Sequence, residues 1–443
     1  MTDVRLAATQ ILTSLLQQQG SLSSLLPDYL KQVSARDTGL LQQLVYGTTR
    51  EYFRLDALTQ YLLKKPFQAK DADLQACLLI GLYQLRELRI PEHAVIHETV
   101  ELAKRLNKEW ATGLINAVLR RYQREAVELD QQLSQQSDLY HWNHPEWMVT
   151  KLQHNWPDHW QQILIQNDIR APMTLRVNKH LLTTETFHNK LAEEGIHAQL
   201  GQLSAQAIIL EEPMDVLDIP GFDLGECSVQ DEAAQLSAAL LDVQPGERVL
   251  DACAAPGGKL CHLLEHHANS AAQVDAVELN PMRIPRIREN LNRLQLSEYC
   301  RVFEGDASSQ DWWDGVAYDR ILVDAPCSGS GVIRRNPDIK LLRQNEDLLK
   351  LATLQMAILE NLWQILKPGG TLLYATCSIF PQENERIIER FCKQHTDALH
   401  QPLAISTGLV RPYGTQFFPQ LNSHDGFFYA KLIKLPANGI SDA

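Results

Sequence analysis

The sequence of 443 residues predicts a multi-domain protein of the α and α/β classes. Apolar residues recur at helical spacing through roughly the first 140 residues, which predicts an all-α region. Two short strand-like runs then enclose a helical pattern between residues 173 and 210, as in a small α+β domain. From Arg248 onward, strand-like and helical runs alternate, which predicts a parallel sheet with helices on both faces. The three expected domains are residues 1–140, 141–235 and 236–435.

The N-terminal region has the pattern of a compact helical bundle. Leucines recur at Leu74, Leu78 and Leu82, and glycine or proline separates such apolar runs. Residues 95–105 are typical of one amphipathic helix that ends in a cationic turn. The tryptophan-rich segment 139–170 follows, and we expect its aromatic side chains to pack a helical linker against the next domain rather than to stack on bases.

The strand candidates define the two domains that contain sheets. Lys367-Pro368-Gly369-Gly370 is expected to end the long helix that precedes the strand at residue 371. In the small domain, the candidates are 173–177 and 207–210, with a helix near 185–194 between them. In the C-terminal domain, they are 248–252, 273–279, 300–304, 319–324 and 371–376, with a closing pair near Phe417 and at 426–433.

The composition indicates a protein of the reducing cytoplasm. The net charge of −13 by itself disfavours nucleic acid as a partner, although the N-terminal third has a slight basic excess. No apolar run approaches the length of a transmembrane helix, and the first 20 residues lack the pattern of a signal peptide. Eight cysteines without a CxxC pair argue against a disulfide framework and a zinc site. We therefore expect no membrane association and no metal.

The most informative stretch follows the apolar strand candidate that begins at Arg248. A turn that contains Pro and two Gly opens a helix there, so that free main-chain N–H groups can face a ligand. A Walker phosphate loop needs a Gly five residues before Gly258 and Ser or Thr after Lys259, but the chain has Cys253 and Leu260. The dinucleotide pattern GxGxxG is also absent. The turn therefore predicts a nucleotide-like cofactor of another kind.

Polar residues end four of the strand candidates of the C-terminal domain. Glu278 ends the second strand, where a carboxylate can accept from both ribose hydroxyls. Asp306 follows the third strand and could accept from an adenine amino group. Cys327 and Cys377 follow two further inner strands. Because the carboxyl ends of parallel strands meet at one sheet edge, we expect a nucleotide-type cofactor beside a thiol chemistry.

Three motifs resemble those of a known family. They are DACAAPGGK at residues 251–259, DAPCSGSG at 324–331 and YATCS at 374–378. Together they resemble the S-adenosylmethionine-dependent RNA cytosine-5 methyltransferases of the NOL1/NOP2/Sun class, and within it the bacterial Fmu/Sun (RsmB-type) enzymes of 16S ribosomal RNA. Further matches lie at 229–231, 332–340 and 425–428, and residues 44–50 and 115–120 resemble the NusB-type RNA-binding bundle.

The resemblance implies a C-terminal Rossmann-like class I methyltransferase domain, a NusB-like N-terminal domain and S-adenosyl-L-methionine as the cofactor. It implies that Cys377 attacks a cytosine ring and that Cys327 helps elimination and product release. It also implies that Asp324 touches the cytosine near the cofactor. The cofactor-binding residues that it implies are Cys253 (through its main chain), Ala254, Ala255, Pro256, Gly257, Gly258, Lys259, Glu278, Asp306 and Asp324.

The resemblance further implies a monomer that acts on 16S ribosomal RNA. The N-terminal bundle would supply affinity and site choice through arginines such as Arg50, Arg120 and Arg121. The target base must be unpaired or splayed out, because a thiol can reach C6 only from above the plane of the ring.

Alternatives remain open from the residues alone. The roles of Cys327 and Cys377 are not distinguished, because DNA cytosine-5 enzymes attack with a Pro-Cys thiol, as at Cys327. The substrate could be another RNA, or the chain could be a non-catalytic NusB-like RNA-binding factor, although both cysteines and the acids are retained. A methyltransferase of amines usually has Asp/Asn-Pro-Pro-aromatic where this chain has Asp324-Ala325-Pro326-Cys327, which argues against that class.

Overall fold

The computed structural model describes residues 2–267 and 272–436, and their contacts form two compact units. The first unit contains the chain up to Arg170 together with Ile333–Asn345. The second contains Ala171–Val332 together with the chain from Glu346 onward. The first unit is helical, and both sheets lie in the second. The proposed division into three domains stays a prediction.

The described residues contain seventeen α-helices and thirteen strands. The helices are Val4–Leu16 (α1), Leu22–Leu30 (α2), Thr38–Arg50 (α3), Tyr52–Leu62 (α4), Ala72–Glu87 (α5), Glu92–Arg105 (α6), Thr112–Gln136 (α7), Asp138–Trp142 (α8), Glu146–Asn155 (α9), Trp160–Asp168 (α10), Thr184–Glu193 (α11), Glu232–Leu241 (α12), Gly258–His267 (α13), Ile284–Arg293 (α14), Ile339–Leu342 (α15), Asp347–Ile365 (α16) and Glu385–Gln394 (α17). The strands are Met173–Val177 (β1), Ala198–Leu200 (β2), Ala207–Leu210 (β3), Cys227–Val229 (β4), Arg248–Ala252 (β5), Gln273–Glu278 (β6), Cys300–Glu304 (β7), Tyr318–Asp324 (β8), Leu366–Thr376 (β9), Ala398–Gln401 (β10), Leu409–Arg411 (β11), Gly414–Phe417 (β12) and Phe427–Lys434 (β13).

Apolar residues at helical spacing form the core of the first unit. Ile11 of α1 and Leu44 of α3 are fully buried there. Leu78 of α5 and Ile115 of α7 are fully buried in the same core. Each such side chain stabilises the fold by about 1.5–3 kcal/mol relative to exposure to water. The helical N-terminal region is therefore confirmed, and α6 ends in the expected cationic turn.

The segment Ile333–Asn345 is anchored in the helical unit by a buried lysine. The ammonium group of Lys340 donates to the main-chain carbonyls of Arg50 at 2.7 Å and of Asn143 at 2.8 Å. It also pairs with the carboxylate of Asp168 at 2.9 Å. Burial lowers the pKa of Lys340, and Asp168 opposes that shift. The helical unit is therefore completed by residues far away in the sequence.

The small sheet of the second unit is antiparallel, with the strand order β2-β3-β1-β4. Leu175 of β1 pairs with Ile208 of β3 on one side and with Val229 of β4 on the other. The strands expected at 173–177 and 207–210 are found with these bounds. The sequence missed β2 and β4, because three residues are too few to show the alternation that marks a strand.

The large sheet has the strand order β11-β12-β13-β9-β8-β5-β6-β7, and β10 also pairs with β13. Strands β5 to β9 run parallel, whereas β13 lies antiparallel to β9. The expected Rossmann-like sheet is confirmed, and antiparallel strands extend it at one side. The strand order reverses between β8 and β5, and the crevice at such a switch point is the usual ligand site of an open α/β sheet.

Helices cover both faces of the large sheet, as the sequence predicted. In β8, Leu322 belongs to one hydrophobic core and the preceding Ile321 belongs to the other. Residues of α12, α13 and α14 complete the first core, and residues of α16 and α17 complete the second. The central strands are therefore buried from both sides, which is why they appear in the sequence as continuous apolar runs.

The sequence was wrong about the start of β9. Residues 367–370 were expected to end the long helix before a strand at 371. The helix α16 does end just before them, at Ile365, but β9 begins directly after it, at Leu366. The pairing of β8 with β9 shifts register near its start, and Gly369 has a φ of +79°. The irregular first residues of the strand contain Pro and two Gly, so the apolar pattern of a strand begins only at residue 371.

Candidate active site

The turn between β5 and α13 has a strained main-chain path. Cys253 has a φ of +62° and Gly257 a φ of +98°, so both lie in the left-handed region. A residue other than glycine is uncommon there and needs support from its surroundings. Main-chain hydrogen bonds supply that support: the Ala254 N–H donates to the Val277 carbonyl at 3.1 Å, and the Gly257 N–H donates to the Ala254 carbonyl at 2.7 Å. The sequence predicted this turn but not the conformation of Cys253.

Glu278, at the end of β6, braces the same turn. Its Oε2 accepts from the Ala255 N–H at 3.1 Å, and its Oε1 accepts from the Asn280 N–H at 3.0 Å. The guanidinium group of Arg283 lies 3.6 Å from Oε1. A carboxylate oxygen can accept more than one hydrogen bond, so the brace leaves capacity for the hydroxyls of a ligand.

Asp306 follows β7 at the same edge of the sheet. Its Oδ1 accepts from the Ser308 N–H at 2.8 Å and from the Ser308 hydroxyl at 2.7 Å. The indole N–H of Trp312 donates to the Asp306 carbonyl at 2.8 Å. These bonds fix the turn after β7. Since β6 and β7 are adjacent parallel strands, they hold the carboxylates of Glu278 and Asp306 at one edge.

Arg176 of the small sheet holds the start of α13, and sequence reasoning missed it. Its guanidinium group donates to the Gly258 carbonyl at 2.7 Å and forms two bonds with the Glu265 carboxylate, at 2.6 and 2.9 Å. Both side chains are buried, and burial raises the pKa of Glu265 while Arg176 opposes that shift. Removing one partner of such a pair typically costs 3–5 kcal/mol. The small sheet thus stabilises the turn where α13 begins.

Lys259 and Asp324, both expected site residues, form an ion pair across the switch point. The Lys259 ammonium donates to Oδ2 of Asp324 at 2.7 Å. Burial disfavours the charged ammonium, but the neighbouring acidic groups, with the Asp324 carboxylate foremost, together raise the pKa of Lys259. The ammonium also lies 5.2 Å from the centre of the Phe427 ring. The pair links the first turn of α13 to the end of β8.

Asp251 is a second residue that sequence reasoning missed as a site residue. It is fully buried in β5, and neither carboxyl oxygen has a hydrogen-bond partner among the described residues. Burial raises the pKa of Asp251 well above its usual range, and the Asp324 carboxylate raises it further. The protonated form is therefore favoured, and the DACAAPGGK motif gives no sign of it because the effect comes from tertiary burial.

The two strand-end thiols lie side by side. The Sγ atoms of Cys327 and Cys377 are 3.4 Å apart, although 50 positions separate them in the sequence. The pKa of Cys327 is raised well above its usual range by the hydrogen bond with Cys377 and by burial. Burial also raises the pKa of Cys253, which fits the expectation that this residue contributes main chain rather than a reactive thiol. The expected thiol pair is thus brought together.

The turns that contain the thiols approach each other main chain to main chain. The Gly331 N–H donates to the Cys377 carbonyl, and the Gly426 N–H donates to the Gly331 carbonyl, both at 2.9 Å. A Cβ atom added at Gly331 would lie 2.2 Å from the carbonyl oxygen of Gly426, closer than any real contact. Glycine is required at Gly331 because the obstructing atoms belong to the main chain.

Glu383, between β9 and α17, is the third residue that the sequence did not reveal. It is fully buried. Its Oε1 accepts from the Ser328 N–H at 2.7 Å, and its Oε2 accepts from the Ser378 hydroxyl at 2.6 Å. Each of these serines directly follows one of the two cysteines. A Cys-Ser pair at each strand end was visible in the sequence, but nothing there pointed to the acid that joins them.

A Rossmann-like sheet with a glycine-containing turn after its first strand, and with paired thiols after β8 and β9, defines a class I methyltransferase domain. Family models agree with this definition. The model described as 16S rRNA methyltransferase RsmB/F matches residues 238–433. The NusB family matches residues 2–124, and a ferredoxin-like domain of the RsmF/B-like methyltransferases matches residues 144–217.

Similar proteins extend this assignment to nearly the whole chain. The chain is 50% identical to ribosomal RNA small subunit methyltransferase B of Pseudomonas putida, over 98% of its own length and 99% of the relative. It is 45% identical to the protein of the same name from Vibrio cholerae, with 98% of each chain covered. The chain belongs to the 16S rRNA methyltransferase RsmB/F family, and the resemblance seen in the sequence is confirmed.

Two solved structures share the fold. The crystal structure of PH0851 has a TM-score of 0.80 and 23% identity, with 98% of this chain and 99% of that chain covered. A methyltransferase homolog from Pyrococcus horikoshii has a TM-score of 0.59 and 27% identity, with 67% and 97% covered. Within residues 2–267 and 272–436, no three His, Cys, Asp or Glu side chains converge to hold a metal ion. No helix in those ranges is long and apolar enough to cross a membrane.

Proposed function

We propose that this protein transfers a methyl group from S-adenosyl-L-methionine to C5 of one cytosine in 16S ribosomal RNA, through a covalent bond between a cysteine and C6 of the base. The separation of 3.4 Å between the sulfurs of Cys327 and Cys377 is the observation that carries this proposal. Family membership supports the methyl transfer, and the names of the relatives support the RNA.

The residues at the sheet edge fit this cofactor by their chemistry. The first turn of α13, which begins at Gly258, presents main-chain N–H groups that have no partner within the helix and suit the methionine carboxylate together with Lys259. Glu278 suits the ribose hydroxyls, and Asp306 suits the adenine amino group. Asp324 completes the expected set near the methionine end. When bound, S-adenosyl-L-methionine supplies an electrophilic methyl group.

The chain's own thiol activates the base. C5 of cytosine is a poor nucleophile until a thiolate adds to C6. We assign this addition to Cys377, whose sulfur forms the bond to C6 while electron density moves toward C5. Asp324 would touch the cytosine ring, and the ion pair with Lys259 orients its carboxyl group.

The last steps restore the aromatic ring. A base takes the C5 proton, and the electron pair of that C–H bond forms the C5–C6 double bond and expels the Cys377 sulfur from C6 as a thiolate. We assign assistance in this elimination to Cys327, which lies within hydrogen-bond distance of Cys377.

The helical N-terminal unit would bind the RNA. The match to the NusB family supports this role. Of the three expected arginines, Arg50 donates to the Arg334 carbonyl at 2.8 Å, and Arg121 pairs with Glu125 at 2.9 Å. Arg120 is exposed and is the best candidate for a phosphate contact. A cytoplasmic, monomeric enzyme completes the proposal.

The test uses the purified full-length protein with S-adenosyl-L-methionine and deproteinised 16S or 23S ribosomal RNA from cells that lack the gene. Bisulfite mapping should find one new 5-methylcytosine in 16S RNA and none in 23S RNA. RNA containing 5-fluorocytosine should leave a stable protein–RNA adduct. Methylation of 23S RNA alone would make another RNA the substrate, and methylation of an amine without an adduct would reject the cysteine mechanism.

A further inference from the structure

We propose that Glu383 is a positioning residue for the reaction: its carboxylate ties together the two turns that contain Cys327 and Cys377, and so sets the separation of the thiols. The inference rests on the proposed function, since it assigns to both thiols the roles given above. Glu383 does not touch the substrate in this proposal. It acts through Ser328 and Ser378.

The contacts of Glu383 reach both turns from one side chain. Oε1 holds the main chain directly after Cys327, through the Ser328 N–H at 2.7 Å. Oε2 holds the side chain directly after Cys377, through the Ser378 hydroxyl at 2.6 Å. These are short hydrogen bonds to a charged acceptor, which are about twice as strong as bonds between neutral groups.

A cluster of serine hydroxyls extends the link. The Ser328 hydroxyl donates to that of Ser330 at 3.0 Å, and the Ser330 and Ser378 hydroxyls are 3.1 Å apart. The Ser330 oxygen accepts from the Ile379 N–H at 3.0 Å. The segment after each cysteine is therefore bonded both to Glu383 and to the segment that follows the other cysteine. A displacement of one turn is transmitted to the second.

The charge of Glu383 also acts on Cys327. Glu383 accepts hydrogen bonds from three donors, the third being the Gln355 amide at 3.3 Å, and such bonds favour the ionised form of a carboxyl group. Burial raises the pKa of Glu383, and these hydrogen bonds oppose that shift. Its negative charge contributes to the raised pKa of Cys327. The same group thus favours the thiol form of Cys327.

The neighbouring Asn384 bonds the Cys377 side and β12, where its amide donates to the Gln416 side-chain oxygen at 2.9 Å, rather than the turn after Cys327. Its amide accepts from the Thr376 hydroxyl at 2.6 Å and donates to the Ser378 carbonyl at 2.8 Å. Both contacts lie on the Cys377 side. Glu383 differs because it bonds both sides, and this difference is what a test must isolate.

The test compares Glu383→Ala and Glu383→Gln with Tyr374→Phe in the full-length protein. The Tyr374 hydroxyl donates to the main-chain carbonyl of Glu383 at 2.7 Å, so its removal disturbs the same buried place without touching the carboxylate. Each variant is assayed for thermal unfolding, for binding of S-adenosyl-L-methionine by calorimetry, and for kcat and KM with 16S RNA. Adduct formation with 5-fluorocytosine RNA reports the attack of Cys377 separately.

For Glu383→Ala, we expect kcat to fall by about 100-fold, the cost of misplacing reacting groups by about 1 Å, with cofactor affinity unchanged. Glu383→Gln keeps an acceptor for the Ser328 N–H and removes the charge. We expect it to restore most of the turnover and to lower the pKa of Cys327, which shifts the pH profile of adduct breakdown to lower pH.

Turnover of Glu383→Ala equal to that of Tyr374→Phe would overturn the positioning role, and so would an unshifted profile in Glu383→Gln. If Glu383→Ala does not fold, Glu383→Gln and its pH profile still decide. Failure of the proposed function is a different result, because the wild-type protein would then form no adduct.

Discussion

The cofactor turn at residues 251–259 and the thiol pair of Cys327 and Cys377 are assembled in opposite ways. The cofactor turn is one continuous stretch of sequence that several separate contacts hold, among them main-chain bonds, the Glu278 carboxylate and the Arg176 guanidinium group. The thiol pair joins two turns that are 50 positions apart, through Glu383 and a close approach of glycines. The cofactor turn should therefore bind its ligand more weakly, but still bind it, when one contact is removed. The thiol pair should lose its function when either thiol is removed, because the reaction needs both.

The largest effect should follow from Cys377→Ala, which removes the attacking sulfur. Turnover should fall to background, and 5-fluorocytosine RNA should leave no adduct on a denaturing gel. Cys392→Ala, which removes a half-buried thiol in α17, should keep both activities. Substantial turnover in Cys377→Ala would show that Cys377 is not the attacking thiol.

Cys327→Ala should permit attack and stall release, since the group that assists elimination is missing. Protein covalently linked to unmodified 16S RNA should accumulate, and the wild-type protein under the same conditions should show little. A gel shift that resists denaturation measures this. If the linked species appears in Cys377→Ala instead, the two thiols have exchanged roles.

Glu278→Ala should weaken the cofactor turn without destroying it. The Ala255 N–H loses its acceptor, and an unsatisfied buried donor costs about 1–3 kcal/mol. Urea unfolding without cofactor should show a loss of this size in the free energy of unfolding. Calorimetry should also show weaker binding of S-adenosyl-L-methionine, since Glu278 suits the ribose hydroxyls. The matched control is Glu304→Ala, because Glu304 is the exposed partner of Glu278 in the β6–β7 register. Equal losses in both variants would contradict the brace.

Asp251→Asn should give the smallest effect, on stability rather than activity. A carboxyl group with a raised pKa in the fold destabilises that fold above its unfolded pKa of about 3.9, because only the unfolded chain releases the proton easily. The variant should therefore gain stability over the wild type as pH rises toward neutrality, measured by urea unfolding without cofactor. Asp275→Asn should lose stability instead, because Asp275 accepts from Arg248 and Arg301.

Much of the fold was predictable because its signals are local. The run at 248–252 has the bounds observed for β5, because this central strand is buried throughout and ends at a turn. The run at 300–304 matches β7 as well, although that strand lies at the edge of the sheet. Short strands such as β2 and β4 were not predictable, because three residues are too few to show an alternation of apolar and polar side chains. The start of β9 was placed too late because Pro and Gly occupy its irregular first residues.

The candidate site was predictable where a strand end carries a reactive or acidic side chain. Cys327 and Cys377 could be paired in advance because carboxyl ends of parallel strands share an edge. Glu383 and Asp251 could not be predicted. The partners of Glu383 include a serine 55 positions away, and the raised pKa of Asp251 arises from burial. Neither the distant partner of Glu383 nor the burial of Asp251 can be read from a short stretch of sequence.

The anchoring of Lys340 has a practical consequence for anyone who cuts this chain into pieces. A fragment that stops at Arg170 lacks the only counter-charge that the described residues place on Oδ1 of Asp168, and the carbonyl oxygens of Arg50 and Asn143 each lose one donor. In such a fragment, the buried site that holds the Lys340 ammonium group is left empty. Adding residues 333–345 as a separate peptide should restore these contacts. The helical unit is therefore a fold made of two separate stretches of sequence and not a module that one fragment contains.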